Sequence, residues 1–248
     1  MRITDTSAAP PDLQTERIVE SRVGERGGVG RLSATRSAFV RRAVNVIVAV
    51  VLLLLTAPIW LLIAILIRLT SRGPVLYTQT RVGIDTRSPR GKTSDERRRW
   101  DVGGRPFKIY KFRTMEVGAE GDTGPVWACD DDPRATPIGR ILRLYRLDEL
   151  PQLINVLKGE MNVVGPRPER PAIIETLRDE IPVYLERQKT LPGITGRAQV
   201  TLRYDSSLED VRKKVEHDIE YVREASWWVD LKIMIATIPV MLFRRGSR

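Results

Sequence analysis

Two acidic residues stand side by side at Asp148-Glu149, followed by Leu150-Pro151 and the amphipathic run Gln152 to Lys158. Pro151 suits the first turn of a helix, where its missing N–H would be unpaired in any case. The carboxylates therefore sit at or just before a helix N-terminus, with arginines close by in sequence. That end of a helix stabilises anions, so it favours an ionised carboxylate and can also hold a phosphate. A carboxylate kept ionised beside arginines can attack phosphorus or anchor a divalent ion. The competing reading is a helix cap beside a solvated charged face. Further on, Gly165-Pro166-Arg167-Pro168 presents one guanidinium between two prolines that fix the backbone, which suits phosphate or base recognition. Asp130-Asp131-Asp132 contains an Asp-x-Asp pattern able to hold a metal and a diphosphate, although such triplets are common in loops and Pro133 follows directly.

The elements that must position these groups are legible in outline. Ile138 to Arg146 is helical, with Ile138, Ile141, Leu142 and Tyr145 on one face and Arg140, Arg143 and Arg146 on another. Pro106 to Met115 alternates apolar and basic residues as a half-buried strand does. Phe107, Ile109 and Phe112 face the core in that reading, while Lys108, Lys111 and Arg113 face solvent or a site. Pro171 to Gln188 reads as a helix disturbed by Pro182. Leu191 to Gly196 is turn-like, Arg197 to Arg203 alternates, and Leu208 to Glu224 is a charged helix.

Ala43 to Ile67 contains no charged residue, which exceeds the ~18 apolar positions that mark a membrane segment. Pro58 inside it should kink or break a helix. Arg36, Arg41 and Arg42 precede the run, and Arg68 and Arg72 follow it, so the charge bias gives no orientation. A spanning helix and a helix–break–helix that returns to the same side both remain open. Ser226 to Arg245, with Trp227-Trp228, Pro239 and Arg244-Arg245, suits a helix lying in the membrane interface.

The formal net charge of +10 favours a polyanionic partner: nucleic acid, an anionic leaflet or phosphate-bearing substrates. Nucleic acid leaves the apolar run without a purpose, so it is not expected as a partner. Cys129 and His217 are single residues of their types, which excludes an intrachain disulfide, a thiolate zinc site and a Cys–His dyad.

Five ordered motifs resemble one family. They are Lys111-Phe112-Arg113-Thr114-Met115, Leu147 to Leu153, Asn155-Val156-Leu157-Lys158-Gly159, Val164 to Pro168 and Pro192-Gly193-Ile194-Thr195-Gly196. From about Ser37 to the C-terminus the chain resembles the bacterial sugar transferases, the monotopic polyprenyl-phosphate phosphoglycosyl transferases. The resemblance implies transfer of a sugar 1-phosphate from a UDP-sugar to polyprenyl (undecaprenyl) phosphate, with magnesium (Mg2+) as cofactor. The products would be UMP and a polyprenyl-diphosphate sugar that starts polysaccharide or glycoconjugate assembly. It implies Asp148 as the nucleophile of a phosphosugar–enzyme intermediate and Glu149 as its acidic partner, with both carboxylates as metal candidates. Arg167, held by Pro166 and Pro168, would help recognise the nucleotide. Lys111, Arg113, Arg146, Arg197, Gln199 and Arg203 are further candidate substrate contacts. Pro58 matches the family's membrane break, which favours the re-entrant topology. The chain departs from the family at Ala57, where some members have serine, at Glu160 in place of aspartate, and in the length of Ile84 to Arg105.

The expected fold is α+β and mainly helical: a re-entrant membrane helix, a small cytoplasmic catalytic unit with a short β-hairpin, and interfacial amphipathic helices. The expected divisions are a disordered arm 1–38, the membrane helix 39–72, the catalytic domain 73–225 with an inserted loop 84–105, and an interfacial helix 226–248. The bacterial inner membrane with the catalytic unit on its cytoplasmic face is the implied location. Inner-leaflet anionic lipid and a second copy of the chain, as a homodimer, are candidate partners. A catalytically inactive scaffold and a metal-dependent glycosyltransferase built on Asp130 to Asp132 are the alternatives.

Overall fold

The computed structural model describes residues 30–86, 102–119, 132–202 and 207–242. The chain divides after Ala38, and apart from the first residues of the first helix everything described below lies in the unit Phe39–Arg248.

Helix α1, Gly30–Thr70, begins inside the expected arm and continues through Pro58 without a change of secondary structure. Pro58 still cannot donate to the Leu54 carbonyl, so one rung of the ladder is missing there. The stretch from Val50 to Leu62 exposes Val50, Val51, Leu54, Leu55, Ile59, Leu61 and Leu62. By length and composition α1 could cross a membrane. Its two ends are anchored differently. At the start, Arg42 donates to the carbonyls of Val156 and Leu157 (2.7 and 3.0 Å), and the Asn45 side chain accepts from Val163 N at 2.5 Å. Arg41 donates to Asp230 (3.0 Å) and to the Tyr221 hydroxyl (2.8 Å). At the far end, Ile63 and Ile67 pack in a cluster with Phe112 and Leu142.

Strand β1, Leu76–Val82, pairs antiparallel with β2, Pro106–Phe112, placing Tyr77 opposite Lys111. The short hairpin-type pair is as expected; a second, parallel pair is not. Strand β3, Asn162–Val164, runs parallel to β4, Gly193–Thr195, which read as a turn in sequence because its three residues are too few to alternate. Each face of β2 contributes one buried residue. Ile109 joins a cluster with Ala49, Val156, Met161 and Tyr221, whereas Phe112 joins the one with Ile63 and Ile67.

The remaining helices are α2, Pro137–Leu144; α3, Gln152–Lys158; α4, Pro171–Glu180; α5, Arg197–Thr201; α6, Leu208–Glu224; and α7, Trp227–Leu242. Two differ from the expectation. Arg197 to Arg203 alternates in sequence, but its first five residues are helical, with Val200 N bonded to Gly196 O. Helix α7 continues through Pro239, and Asp230, which interrupts the apolar pattern, is buried against Arg41 and the Tyr221 hydroxyl. Burying a charge is tolerable when it is paired and hydrogen-bonded. Trp227, Trp228, Ile235 and Ile238 stay exposed on α7. In α2 the expected apolar face divides: Leu142 is buried, while Ile141 lies at the rim and is exposed.

Candidate active site

Three chain segments converge on the acidic pair. Helix α2 starts at Thr136, whose hydroxyl accepts from Gly139 N. Gly139 is needed here for closeness, since a Cβ would come within 2.0 Å of the Thr114 carbonyl. After α2 the chain turns sharply at Arg146, the single non-glycine residue with positive φ (55°) among the described residues. Such a conformation costs roughly 1–2 kcal/mol for an L-residue. It delivers the chain into a 3-10 turn, Leu147–Glu149, and Leu150 and Pro151 then keep helical angles into α3. Leu147 and Leu150, on either side of the pair, pack against the cluster that holds Ile63 and Ile67 of α1. The acidic turn therefore shares an apolar cluster with the membrane-suited helix.

Strand β2 supplies Lys111, whose Nζ lies 3.0 Å from Glu149 Oε1 and 3.6 Å from Asp148 Oδ2. The turn after β3 supplies Arg167, whose guanidinium forks onto Glu149 with bonds of 2.6 Å to Oε1 and 3.3 Å to Oε2. Both oxygens of Glu149 are thus engaged by cations. Asp148, only 7% exposed, is paired through the longer Lys111 contact.

This asymmetry divides the two carboxyls. Burial pushes Asp148 above the ordinary aspartate range, and the Glu149 charge adds to the rise. Lys111, Arg167 and Arg143 oppose it without cancelling it. Burial also works against ionised Glu149, but Arg167, Lys111 and Arg146 outweigh it and hold this carboxyl well below the ordinary range. Adjacent acids driven apart in this way commonly carry different roles. Glu149 is a fixed anion that organises the cations, and Asp148 is the carboxylate with oxygen lone pairs left to use.

Lys111→Met should therefore raise the Asp148 pKa further, because it removes a group that favours the ionised form. If activity requires ionised Asp148, the acid limb of the pH–rate profile should move to higher pH, with the plateau reached only under more alkaline conditions. A profile whose acid limb stays in place would separate Lys111 from Asp148 titration.

Of the sequence-derived candidates, Asp148, Glu149, Lys111, Arg146 and Arg167 are brought together. Pro166 and Pro168 hold the Arg167 turn, Pro166 accepting from Gly193 N at 3.0 Å. Arg113 is directed elsewhere: it donates to the carbonyls of Arg72 (2.6 Å) and Ser71 (3.0 Å) and to the Ser71 hydroxyl (2.7 Å), closing the end of α1. Arg197 pairs with Glu224 and Glu220, and Gln199 donates to Ile194 O. Arg203, Asp130 and Asp131 lie outside the described residues. Asp132 is engaged by Arg134, whose side chain and backbone N–H hold its pKa at about 2 against burial. Its carboxylate serves the loop before α2. Arg143, not singled out as a contact in the sequence, bonds Thr114 at 2.9 Å and its charge reaches Asp148.

A family model described as bacterial sugar transferase matches residues 36–244. The chain belongs to the bacterial sugar transferase family. The chain is 40% identical, over 211 residues and 85% of its length, to an Aeromonas hydrophila protein named UDP-N-acetylgalactosamine-undecaprenyl-phosphate N-acetylgalactosaminephosphotransferase, of which 45% is covered. It is 40% identical over 237 residues to the UDP-glucose:undecaprenyl-phosphate glucose-1-phosphate transferase of Escherichia coli (strain K12), covering 92% of this chain and 47% of the relative. A Caulobacter vibrioides protein of the same name is 41% identical over 205 residues, covering 82% of this chain and 69% of the relative. The chain thus spans about half the length of the first two relatives, and the relatives' names differ in the sugar.

Proposed function

We propose that this protein transfers a sugar 1-phosphate from a UDP-sugar to undecaprenyl phosphate through a covalent aspartyl-phosphosugar (an acyl phosphate) on Asp148. The observation that carries this is the division within the acidic pair: Glu149 is locked by Lys111 and Arg167, while Asp148 is buried and weakly paired beside an apolar helix. An Asp148 oxygen attacks the phosphorus that carries the sugar. The bond from that phosphorus to the bridging oxygen breaks, and UMP leaves with the bridging oxygen. A phosphate oxygen of the polyprenyl acceptor then attacks the same phosphorus and releases the Asp148 carboxylate. Neither displacement needs a protein proton at the reacting atom. Charge placement is the main demand of phosphoryl transfer, and Lys111 and Arg167 provide it.

Magnesium fits the hard-oxygen donors here. Asp148 and Glu149 would hold it, Asp148 more readily because both Glu149 oxygens already accept from cations, and it would neutralise diphosphate charge. Among the described residues no group of three or more His, Cys, Asp or Glu could hold a metal, so substrate oxygens would complete its shell.

The re-entrant topology is part of the proposal. A straight helix from Asn45 to Ile67 would measure roughly 33 Å, about the thickness of a bilayer core. Yet Arg42 and Asn45 at one end, and Ile63 and Ile67 at the other, all dock on the same unit. That supports an apolar loop dipping into the cytoplasmic leaflet of the inner membrane, bent where Pro58 removes a rung, with the catalytic unit on the cytoplasmic side. The exposed tryptophans of α7 suit the interface, and the basic surface suits anionic lipid. With Cys129 replaced by serine, cysteines at Phe39 and Arg72 should both be labelled from the cytoplasmic side alone. Labelling of one from the periplasm would reverse this topology.

The function is tested by offering UDP-sugars to detergent-purified protein with magnesium and undecaprenyl phosphate. UMP release with at least one donor is expected. Silence with every donor from folded protein would favour the scaffold reading.

A further inference from the structure

The Arg167 turn is held from behind by two more arginines that the proposed mechanism leaves unused. Arg187 donates to the Arg167 carbonyl at 3.0 Å, and Arg81 donates to the next carbonyl, that of Pro168, also at 3.0 Å. Pro166 and Pro168 have no N–H, so this turn has few backbone bonds of its own to fix it. Arg187 is 4% exposed, and each arm of its guanidinium is occupied. Nε meets Asp218 at 2.9 Å, NH2 meets Asp218 at 2.6 Å as well as the Arg167 carbonyl, and NH1 meets the Tyr184 hydroxyl at 2.9 Å. Asp218 is 2% exposed. Glu169, the next residue after the turn, is gripped by Lys214 (3.3 Å), Arg81 (3.5 Å) and Arg187 (3.9 Å), while its carbonyl accepts from Val82 N.

A planar fork held on one side by a buried carboxylate can fix direction as well as charge. Lysine could keep the charge near Asp218 but could not bridge Asp218, Tyr184 and the Arg167 carbonyl together. We propose that Arg187, braced by Asp218, is a positioning residue: it fixes the Arg167 backbone, and through it the guanidinium fork on Glu149. Arg81 supports the same turn one carbonyl later. The consequence for turnover rests on the proposed role of Arg167 in holding Glu149 and the nucleotide. The clamp itself does not.

The test has two independent arms on full-length protein in detergent. In the first, without substrate, phenylglyoxal modification of Arg167 is followed by peptide mass spectrometry. Arg187→Lys should make Arg167 at least ~5-fold more reactive, and Asp218→Asn should do the same if the first variant folds poorly. An unchanged Arg167 rate in a folded variant overturns the proposal. In the second arm, UMP release is measured as a double-mutant cycle. Arg187→Lys should raise KM for the UDP-sugar about tenfold with kcat within threefold. It should add less than twofold once Arg167 is already Lys; full multiplicative losses would also overturn the clamp. If wild-type protein releases no UMP while Arg187→Lys still exposes Arg167, the clamp stands and the proposed function fails.

Discussion

Asp148→Asn is expected to lose activity by on the order of 10³-fold or more, because the step it removes is bond formation to phosphorus and not a contact that water could replace. The same variant should be at least as stable as the wild type near neutral pH. Burial raises the Asp148 pKa in the folded protein, so the folded state binds this proton more tightly than the unfolded chain does. Its stabilising effect is present below the unfolded pKa and is lost as pH rises through the folded value. A neutral amide removes the cost of keeping a charge there. Glu149→Gln should behave in the opposite sense. Its depressed carboxyl contributes stability above the ordinary carboxylate range, lost only as pH falls through the folded value. That variant should melt lower at neutral pH, since Lys111 and Arg167 would lose a charged partner. Thermal melts of both variants beside activity would separate the roles; equal melting losses would contradict the division between the two acids.

Gly193→Ala is expected to be the most damaging single-methyl change. A Cβ at Gly193 would lie 2.0 Å from Gly165 N, 2.5 Å from Thr195 O and 2.6 Å from Val164 C, all backbone atoms with no rotamer to yield. Facing it, a Cβ on Gly165 would meet Leu191 O at 2.4 Å. Strands β3 and β4 approach through this glycine pair, and Gly193 N bonds the Pro166 carbonyl at the root of the Arg167 turn. Separating them should cost about 3 kcal/mol or more, at the upper end for overpacking. For a chain of this size that corresponds to a fall in Tm of about 10 °C. Protein that still folds should lose nucleotide-sugar affinity, because Arg167 moves with Pro166. A melting temperature within 2–3 °C of wild type, by the same scaling, would show that the strands can separate cheaply.

The side chains that meet at the candidate site are legible where they are local. The acidic pair, its helix-starting proline and the Pro-Arg-Pro turn lie within short stretches, and the uncharged run around Pro58 is continuous. The errors lie where strand parity or distance decides. Lys111 and Arg113 share parity, so alternation sends both the same way. But β2 ends at Phe112, and Arg113, bonded through its N–H to Val75 O, turns towards the end of α1. Arg197 and Gln199 share parity in the same manner, and a helix at Arg197–Thr201 places them on other partners. Arg187 and Arg81 carry no local signal. The carbonyls they hold belong to a turn distant in sequence, and only the folded chain brings them to it. Arg146 is among the sequence-derived contacts, but the left-handed turn it makes there carries no signal in the basic helical face that precedes it.

The most direct measurement uses wild-type protein with the UDP-sugar identified by the donor panel, magnesium and no lipid acceptor. Peptide mass spectrometry would then locate any sugar-phosphate adduct. A covalent phosphosugar on Asp148, formed with at most one UMP per chain and discharged by undecaprenyl phosphate, is the expected result. UMP released only when the acceptor is present, with Asp148 unmodified throughout, would contradict the nucleophilic role and point to direct transfer between the bound substrates.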